Sequence, residues 1–118
     1  MVKSPVAIMG LSAATRAGVT ALAKAISKEA AADNVTINNM LPEMFDTGRQ
    51  EDNANLLVKH RGLNYDEARA YLVSRIAAGR FGQAHEFGET CAFLCSQQAS
   101  YISGQNIQLD GGSYDGLF

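Results

Sequence analysis

Residues 99–112 read Ala-Ser-Tyr-Ile-Ser-Gly-Gln-Asn-Ile-Gln-Leu-Asp-Gly-Gly, and they contain the C-terminal strand on which the fold depends. That strand is predicted at Asn106–Leu109, because the Asp-Gly-Gly that follows it is typical of a turn. A helix is predicted from Ala84 to Ser96. An earlier strand is predicted at 35–38, where Val-Thr-Ile-Asn is rich in β-branched residues, and it ends before Pro42. Strands joined through helices indicate a parallel sheet, although two strands are too few for an independent one.

The longest predicted helix runs from Ser12 to Ala32. Small and apolar side chains return along it at intervals of three and four residues, and Ala, Lys and Glu fill the other positions. The many alanines, together with Gly18, give a slim surface that a neighbouring helix or sheet can approach closely. Asp33-Asn34 supplies the turn that follows.

Two more helices are predicted in the middle of the chain. A weak helical pattern covers Asn53 to His60 and stops at Gly62. Asn64 and Glu67 have the spacing of a capping box, so a second helix begins there. The apolar side of this helix continues until Gly79 ends it.

The composition is that of one globular domain. The chain has 118 residues, of which 47% are apolar and 19% charged, with a formal net charge of -2. No run approaches the ~20 apolar residues that cross a bilayer, and the N-terminus lacks the pattern of a signal peptide. The charges are scattered rather than clustered, which argues against nucleic acid and anionic membranes as partners. We therefore expect a cytoplasmic protein.

The cysteines and histidines give no sign of a metal site. Cys91 and Cys95 are four residues apart, which places both on one helix face with Phe87, and we expect that face to be buried. His60 and His85 have no partner at ligand spacing and are expected on the surface. We predict no bound metal.

Several motifs occur together at a distinctive spacing. Four of them are Arg80-Phe81-Gly82, Ala92-Phe93-Leu94-Cys95-Ser96, Ala99-Ser100-Tyr101-Ile102-Ser103-Gly104-Gln105 and Asp110-Gly111-Gly112. Upstream of these stand Asn38-Asn39-Met40-Leu41-Pro42 and then Asp46-Thr47. The four motifs resemble the C-terminal signature of the short-chain dehydrogenase/reductase family, and the upstream run resembles the segment after its sixth strand. The resemblance covers nearly the whole chain and is nearest to the 3-oxoacyl-carrier-protein reductase-like branch.

The resemblance implies an α/β fold, namely the C-terminal part of a Rossmann-like doubly wound parallel sheet with two strands and long helices. Residues 1–118 are then the C-terminal half of a single domain, incomplete as a lone chain, with a lid-like segment at 44–78. The glycine-rich phosphate-binding turn belongs to the family's other half, and its spacing is not found here. NAD or NADP is the implied cofactor, and we expect binding by this chain alone to be poor.

Two positions of the long helix correspond to the family's catalytic residues. The family's Tyr-x-x-x-Lys falls on Ser12 and Arg16, so both residues are substituted. In the family the tyrosine exchanges a proton with the substrate oxygen, and the lysine lowers the tyrosine's pKa. A serine hydroxyl is far less acidic than a phenol, and arginine does not relay protons. Ser12 and Arg16 are therefore either a remodelled site or a helix N-cap and a surface charge.

The segment from Pro42 carries the cofactor contacts that the resemblance implies. They are Pro42 itself, Phe45 as a backbone contact to the nicotinamide carboxamide, and Thr47 as a hydroxyl donor to the carboxamide or the phosphates. Thr47 equally suits the cap of the next helix, a role that Asp46 also fits. Glu43 stands where the family has glycine, so its side chain either crowds the nicotinamide ring or puts a carboxylate beside its positive charge.

Two functional classes follow. The first is an NAD(P)-dependent oxidoreductase that interconverts a carbonyl and an alcohol on a small-molecule substrate, present as a truncated C-terminal fragment that lacks activity alone. The second is a non-catalytic oligomerisation module derived from the same fold. In either class we expect a homodimer or homotetramer, in which the Ser12–Ala32 helix or the Asn106–Leu109 strand faces its own copy.

Overall fold

The computed structural model describes residues 2–117, which form an α/β structure of helices and two short strands, as predicted. In chain order the elements are α1 (Gly10–Ala30), β1 (Asn39–Pro42), α2 (Gly48–Arg61), α3 (Tyr65–Val73), α4 (Ala84–Leu94) and β2 (Asn106–Leu109). Single turns of 3-10 helix lie at Ala7–Met9, Ala31–Asp33 and Gln97–Ala99. The order matches that expected for part of a doubly wound sheet.

The two strands pair in parallel, which confirms the predicted sheet. The backbone N–H of Asn39 donates to the carbonyl of Gln105 at 2.8 Å, and that of Glu43 donates to the carbonyl of Leu109 at 3.0 Å. The N–H groups along β1 that donate toward β2 therefore fall at alternate residues. Pro42, which has no N–H, lies between two of these positions. Because of this register, a proline can end β1 without removing a hydrogen bond of the ladder.

The first strand lies four residues later than predicted. Residues 35–38 are outside β1, and Val35 is 51% exposed. The segment that runs beside them turns at Gly104, where φ is +69°, so it offers no extended partner there. The contacts there are irregular: the N–H of Gly104 donates to the carbonyl of Ile37 at 2.7 Å, and Asn38 Nδ2 donates to the carbonyl of Ile102 at 2.7 Å. A high β propensity therefore produces no strand at this point, because strand formation needs an extended neighbour.

The long helix is confirmed with changed ends. It begins at Gly10, and the residue at its N-cap is Met9 rather than Ser12. The regular helix ends at Ala30, and a single 3-10 turn leads to Asn34, which adopts a left-handed conformation with φ of 59°. The turn expected at Asp33-Asn34 is therefore present.

The two middle helices are present, although their lengths differ from the prediction. α2 begins at Gly48 and ends at Arg61, and the next residue, Gly62, has φ of 67°, the left-handed conformation that glycine adopts easily. The capping box of α3 is confirmed, since Asn64 accepts from the N–H of Glu67 and Glu67 accepts from the N–H of Asn64. α3 ends at Val73, six residues before Gly79, because the backbone tightens into three-residue turns there.

A cluster of buried apolar side chains joins α2 to α3. Ala54 and Ala68 are completely buried, and Leu72, Ile76 and Phe81 are about as well protected. Partly buried side chains pack around them, namely Met44, Leu57, Val58, Leu63 and Val73. Most of this cluster falls within the segment expected to be lid-like at 44–78, so that segment has an apolar core of its own.

The expected burial of the cysteine face is wrong. Cys91 and Cys95 are both exposed, Phe93 beside them is 47% exposed, and the described residues of α4 include none that is buried. The four-residue spacing does place the cysteines on one face, but no other part of the described chain covers it. His60 and His85 are exposed, as predicted.

The chain divides into two compact units. One combines the residues up to Met40 with Cys91–Ile107, and the other combines Leu41–Thr90 with the residues from Gln108 onward. The first contains all of α1, and the second contains α2, α3 and the apolar cluster. Over residues 2–117, no helix is both long and apolar enough to cross a membrane.

Candidate functional site

Ser12 and Arg16 lie one turn apart on α1 and are hydrogen-bonded to each other. Arg16 Nη1 donates to Ser12 Oγ at 2.6 Å. Ser12 is half-buried at the third position of the helix, and Arg16 is exposed. The hydroxyl therefore does not cap the helix, and that interpretation of Ser12 is wrong. Because a cation donates to its oxygen, the hydroxyl is free to donate its own proton to a ligand.

The segment after β1 has an unusual backbone. Pro42 is exposed at the end of the strand, and Met44 two residues later has φ of 51°. A side chain other than glycine rarely adopts this left-handed conformation, so the surrounding contacts must hold Met44 in place. The bend at Met44 sets the direction in which Phe45 and Thr47 leave the strand.

A short backbone pairing with Gly82 fixes this segment. Phe45 and Gly82 form an isolated parallel bridge. The N–H of Asp46 donates to the carbonyl of Gly82 at 2.8 Å, and the N–H of Gly82 donates to the carbonyl of Met44 at 3.1 Å. In a parallel bridge the central residue directs its own N–H and C=O away from the partner. The backbone groups of Phe45 are therefore not used by Gly82.

The side chain of Phe45 packs on both sides. Its ring lies so close to Gly82 that a Cβ there would be 2.9 Å from Phe45 Cε1. On the other side it meets Phe87 edge-to-face, with ring centroids 5.9 Å apart. These two contacts fix the ring and, through it, the position of the Phe45 backbone.

Thr47 occupies the N-cap position of α2, which is one of its two predicted roles, but its side chain makes no capping hydrogen bond. The hydroxyl instead donates to the carbonyl of Phe45 across a long 3.4 Å. A contact of that length is weak, so a ligand can replace it at little cost. Asp46, the other candidate cap, pairs with Arg69 at 2.8 Å.

An open cleft of about 240 Å³ lies in the second unit. Glu43, Met44 and Phe45 line one part of it, and Leu109, Asp110 and Gly111 line another. Both groups lie at the C-terminal ends of the parallel strands. Ligands of open α/β sheets bind at this edge, so the position of the cleft is that of a ligand site.

Arg80 and Glu86 form a two-pronged ion pair at the cleft. Arg80 Nη1 donates to Glu86 Oε2 at 2.8 Å, and Nη2 donates to Oε1 at 2.6 Å. The N–H of Gln83 also donates to Oε2, at 2.7 Å. The hydrogen bonds from Arg80 and then Gln83 lower the pKa of Glu86 from 4.5 to about 2. The carboxylate thus stays ionised at neutral pH and ties the turn at 80–83 to α4.

Arg80 and Glu86 were not predicted as site residues. Arg80 was recognised only as part of a turn motif, although both residues line the cleft. One signal was available, because Glu86 follows Gln83 by three residues at the start of a helix, which is capping-box spacing. The pairing with Arg80 could not be read from the sequence, because it depends on how tightly the chain turns between them.

Comparison with known proteins identifies the family. The family model described as enoyl-(acyl carrier protein) reductase matches residues 4–114. The chain therefore belongs to this family and is a short-chain dehydrogenase/reductase of the 3-oxoacyl-carrier-protein reductase-like kind. This confirms the resemblance seen in the motifs.

Individual relatives cover the chain well, but the chain covers less than half of them. It is 33% identical over 102 residues to 3-oxoacyl-[acyl-carrier-protein] reductase FabG of Salmonella typhimurium, which is 86% of this chain and 37% of that protein. It is 34% identical over 111 residues to NADPH-dependent reductase BacG of Bacillus subtilis, which is 94% of this chain and 43% of that protein. The chain thus spans about two fifths of the length of these curated relatives.

A solved structure shares the fold. The crystal structure of YwfH, described as an NADPH-dependent reductase involved in bacilysin biosynthesis, superimposes with a TM-score of 0.88 at 33% identity. The match covers 98% of this chain and 44% of the other. The elements described above therefore correspond to part of a Rossmann-like fold, as the motifs predicted.

Proposed function

We propose that this chain forms the nicotinamide-binding part of an NAD(P)-dependent oxidoreductase that interconverts a carbonyl and an alcohol. Its family and the NADPH-dependent reductases among its relatives support this reaction class. The observation that carries the proposal is the backbone of Phe45, whose N–H and C=O are turned away from Gly82 at the edge where ligands of such sheets bind. In this proposal residues 1–118 are the C-terminal half of one domain, and residues 44–78 cover the substrate.

The residues after β1 fit the carboxamide of a nicotinamide ring. A carboxamide has an NH₂ that donates and a carbonyl oxygen that accepts, and the C=O and N–H of Phe45 are the complementary pair. The Thr47 hydroxyl can add a third hydrogen bond, because its present contact with Phe45 is 3.4 Å long. When bound, the dinucleotide supplies the hydride. The role of Pro42, Phe45 and Thr47 is to orient the ring.

Glu43 adds a charge to the proposed site. It is exposed, lines the cleft and occupies the position where the family has glycine. A carboxylate beside the ring stabilises the oxidised nicotinamide, which is positively charged, more than the neutral reduced form. We therefore expect Glu43 to make the site bind NAD(P)⁺ more tightly relative to NAD(P)H.

Proton transfer is the step for which these residues are least suited. Ser12 and Arg16 occupy the positions of the family's tyrosine and lysine, and their hydrogen bond leaves a hydroxyl proton available. A serine hydroxyl is nevertheless a much weaker acid than a phenol and reaches less far from the helix. We therefore expect the chain alone to reduce no ketone with NADPH above a buffer blank. Turnover that Arg16→Ala abolishes would contradict this and assign the step to the Ser12–Arg16 pair.

Saturation-transfer NMR with NADPH tests the binding proposal directly. Saturation of the protein should pass to the nicotinamide protons more strongly than to the adenine protons, because the contacts proposed for Phe45 and Thr47 lie at the nicotinamide end of the dinucleotide. Thr47→Val should weaken this transfer. Thr20→Val is the matched control, since its hydroxyl is bonded within α1 to the carbonyl of Arg16. The proposal is contradicted if transfer to the nicotinamide protons is absent or only equals transfer to the adenine protons.

A second candidate function is a non-catalytic assembly module. The observation that favours it is the apolar surface of α1, where Leu11 is 87% exposed and Val19 and Leu22 are each 60% exposed. Apolar side chains in a row on one helix are typical of an interface. Sedimentation measures this property, and the NMR experiment separates the two functions, because an assembly module has no reason to contact the nicotinamide ring.

A further inference from the structure

Arg69 on α3 contacts two chain segments, the one that contains the proposed nicotinamide contacts and the one that pairs with it. Its Nη2 lies 2.8 Å from Asp46 Oδ1, and its guanidinium carbon lies 4.7 Å from the centroid of the Phe81 ring. The Arg69 side chain is 26% exposed, and Phe81 is 5% exposed. Its hydrogen bond to Asp46 raises the pKa of Arg69, so the guanidinium keeps its charge.

The two contacts of Arg69 fall on the two sides of one backbone bridge. Asp46 belongs to the segment after β1, and its N–H donates to the carbonyl of Gly82. Phe81 directly precedes Gly82 on the other side of that bridge. One guanidinium therefore holds both partners of the pairing that turns the Phe45 backbone away from Gly82.

The segment gains from such support, because its backbone is strained and its pairing with Gly82 is short. Met44 has a left-handed φ of 51°, which is unfavourable for a residue with a side chain. The bridge to Gly82 is isolated and has no neighbouring ladder to reinforce it. A planar guanidinium can bond a carboxylate at its edge and stack on an aromatic ring with its face at the same time, which an ammonium cannot do.

We propose that Arg69 is a positioning residue, which couples α3 to the segment at 44–47 and keeps Phe45 and Thr47 in the arrangement that binds nicotinamide. This rests on the proposed function. Arg69 acts through Asp46 and Phe81 and has no contact with the reacting atoms. The consequence is that movement of α3, which lies in the segment proposed to cover the substrate, changes the affinity of the nicotinamide contacts.

Two measurements on the full chain test this with the variants Arg69→Gln and Arg69→Lys. Arg75→Gln is the matched control, because Arg75 is an exposed arginine that follows α3. Without cofactor, amide exchange at Asp46 and Gly82 should be about tenfold faster in Arg69→Gln, since a charge-assisted hydrogen bond is lost. With NADPH, saturation transfer to the nicotinamide protons should fall in Arg69→Gln and recover in part in Arg69→Lys, which keeps the ion pair. Arg75→Gln should match the original protein in both.

The outcomes separate the two proposals. Unchanged exchange at Asp46 and Gly82 in Arg69→Gln overturns the positioning role whether or not NADPH binds. Faster exchange with an unchanged nicotinamide signal also overturns it, because the segment would then be held without affecting the ligand. If the unmutated chain gives no nicotinamide signal, the proposed function is overturned. Faster exchange in Arg69→Gln then leaves Arg69 as a support of the fold alone. If Arg69→Gln unfolds the protein as a whole, the amides of α2 also exchange faster. The positioning role of Arg69 is then decided with Arg69→Lys.

Discussion

Gly82 shows how a single missing side chain shapes the site. Its Cα faces the ring of Phe45, and an added Cβ would lie 2.9, 3.0 and 3.1 Å from three ring atoms. Contacts this short force the ring to move, and the ring is already held by Phe87 on its other side. Gly82 is therefore needed for close approach rather than for backbone freedom.

We expect Gly82→Ala to destabilise the protein by about 1–3 kcal/mol, as overpacking of a well-filled contact usually does. Gly88→Ala is the matched control, because nothing lies within 4 Å of a Cβ placed at this helical glycine. That change should stabilise the helix by roughly 0.5–1 kcal/mol. Urea unfolding of both variants measures the difference, and equal effects of the two substitutions would show that the ring of Phe45 is not confined.

Glu86 gives the protein a defined dependence on acid. Its pKa is lowered to about 2 in the folded chain by Arg80 and by the N–H of Gln83, against 4.5 for the free group. A lowered folded pKa means that the stabilisation is complete above about pH 4.5 and is lost as the pH falls from there toward 2. The pair is largely solvated, so the effect on the free energy of unfolding is small.

We expect Glu86→Gln to flatten the change of stability between pH 4.5 and 2, the interval set by the two pKa values of Glu86. Glu89→Gln, an exposed glutamate on the same helix, should leave that slope as it is. Denaturant unfolding at several pH values in this range provides the comparison. If both variants keep the original slope, the Arg80–Glu86 pair is not formed in solution.

Among the elements, α3 depends most visibly on a local signal. The Asn64 side chain accepts from the N–H of Glu67 at 2.9 Å, and the Glu67 carboxylate accepts from the N–H of Asn64 at 2.9 Å. α3 has only 9 residues, so two satisfied N–H groups at its start are a large share of its hydrogen bonding. Ala68 and Leu72 of the same helix belong to the apolar cluster.

We expect Asn64→Ala to destabilise the protein by about 0.5–2 kcal/mol, the usual effect of removing an N-cap. Asn64→Asp keeps the accepting oxygen and should remain within a few tenths of a kcal/mol of the original. Thermal unfolding followed by circular dichroism compares the two. A loss in Asn64→Asp as large as in Asn64→Ala would mean that the cap is not what holds α3.

Elements with local signals were the ones predicted correctly. The capping box of α3 and the Asp-Gly-Gly turn after β2 are encoded within a few residues, and both are present. β1 was misplaced because its position depends on where the distant segment near Gly104 becomes extended. The burial of α4 was mispredicted for a related reason, since a helical face shows which residues lie together but not whether anything covers them.

The candidate site divides in the same way. Pro42, Phe45 and Thr47 could be selected from a motif, because the family's pattern after the strand is continuous in sequence. The contacts of Arg69 and Gly82 with this segment could not, because they join residues more than 20 positions apart. The sequence thus predicted which groups would meet a ligand, and the structure was needed to find what holds those groups in place.

At the scale of the whole molecule, the main feature is apolar surface that the described chain leaves uncovered. On α1, the side chains of Leu11 and Leu22 are 87% and 60% exposed, while only Ala13 and Ser27 are buried. Among residues 2–117, β2 pairs with β1 alone, and its Ile107 is half-buried. A two-stranded sheet and a helix exposed to this degree are marginal in water, so a second protein surface should stabilise them.

We therefore predict that the chain forms a homodimer or homotetramer, in which α1 or β2 faces its own copy. Gly18→Lys and Ala25→Lys should weaken the contact if α1 provides it, because each places a charged side chain in an apolar surface. Nothing lies within 4 Å of a Cβ at Gly18, so a side chain that begins there meets no clash at its first atom within the single chain. Ala70→Lys, the same change at an exposed alanine of α3, is the control. Sedimentation at micromolar concentration should show an oligomer that the α1 variants dissociate and Ala70→Lys preserves. A stable monomer contradicts self-association, and an oligomer unaffected by both α1 variants assigns the contact to β2.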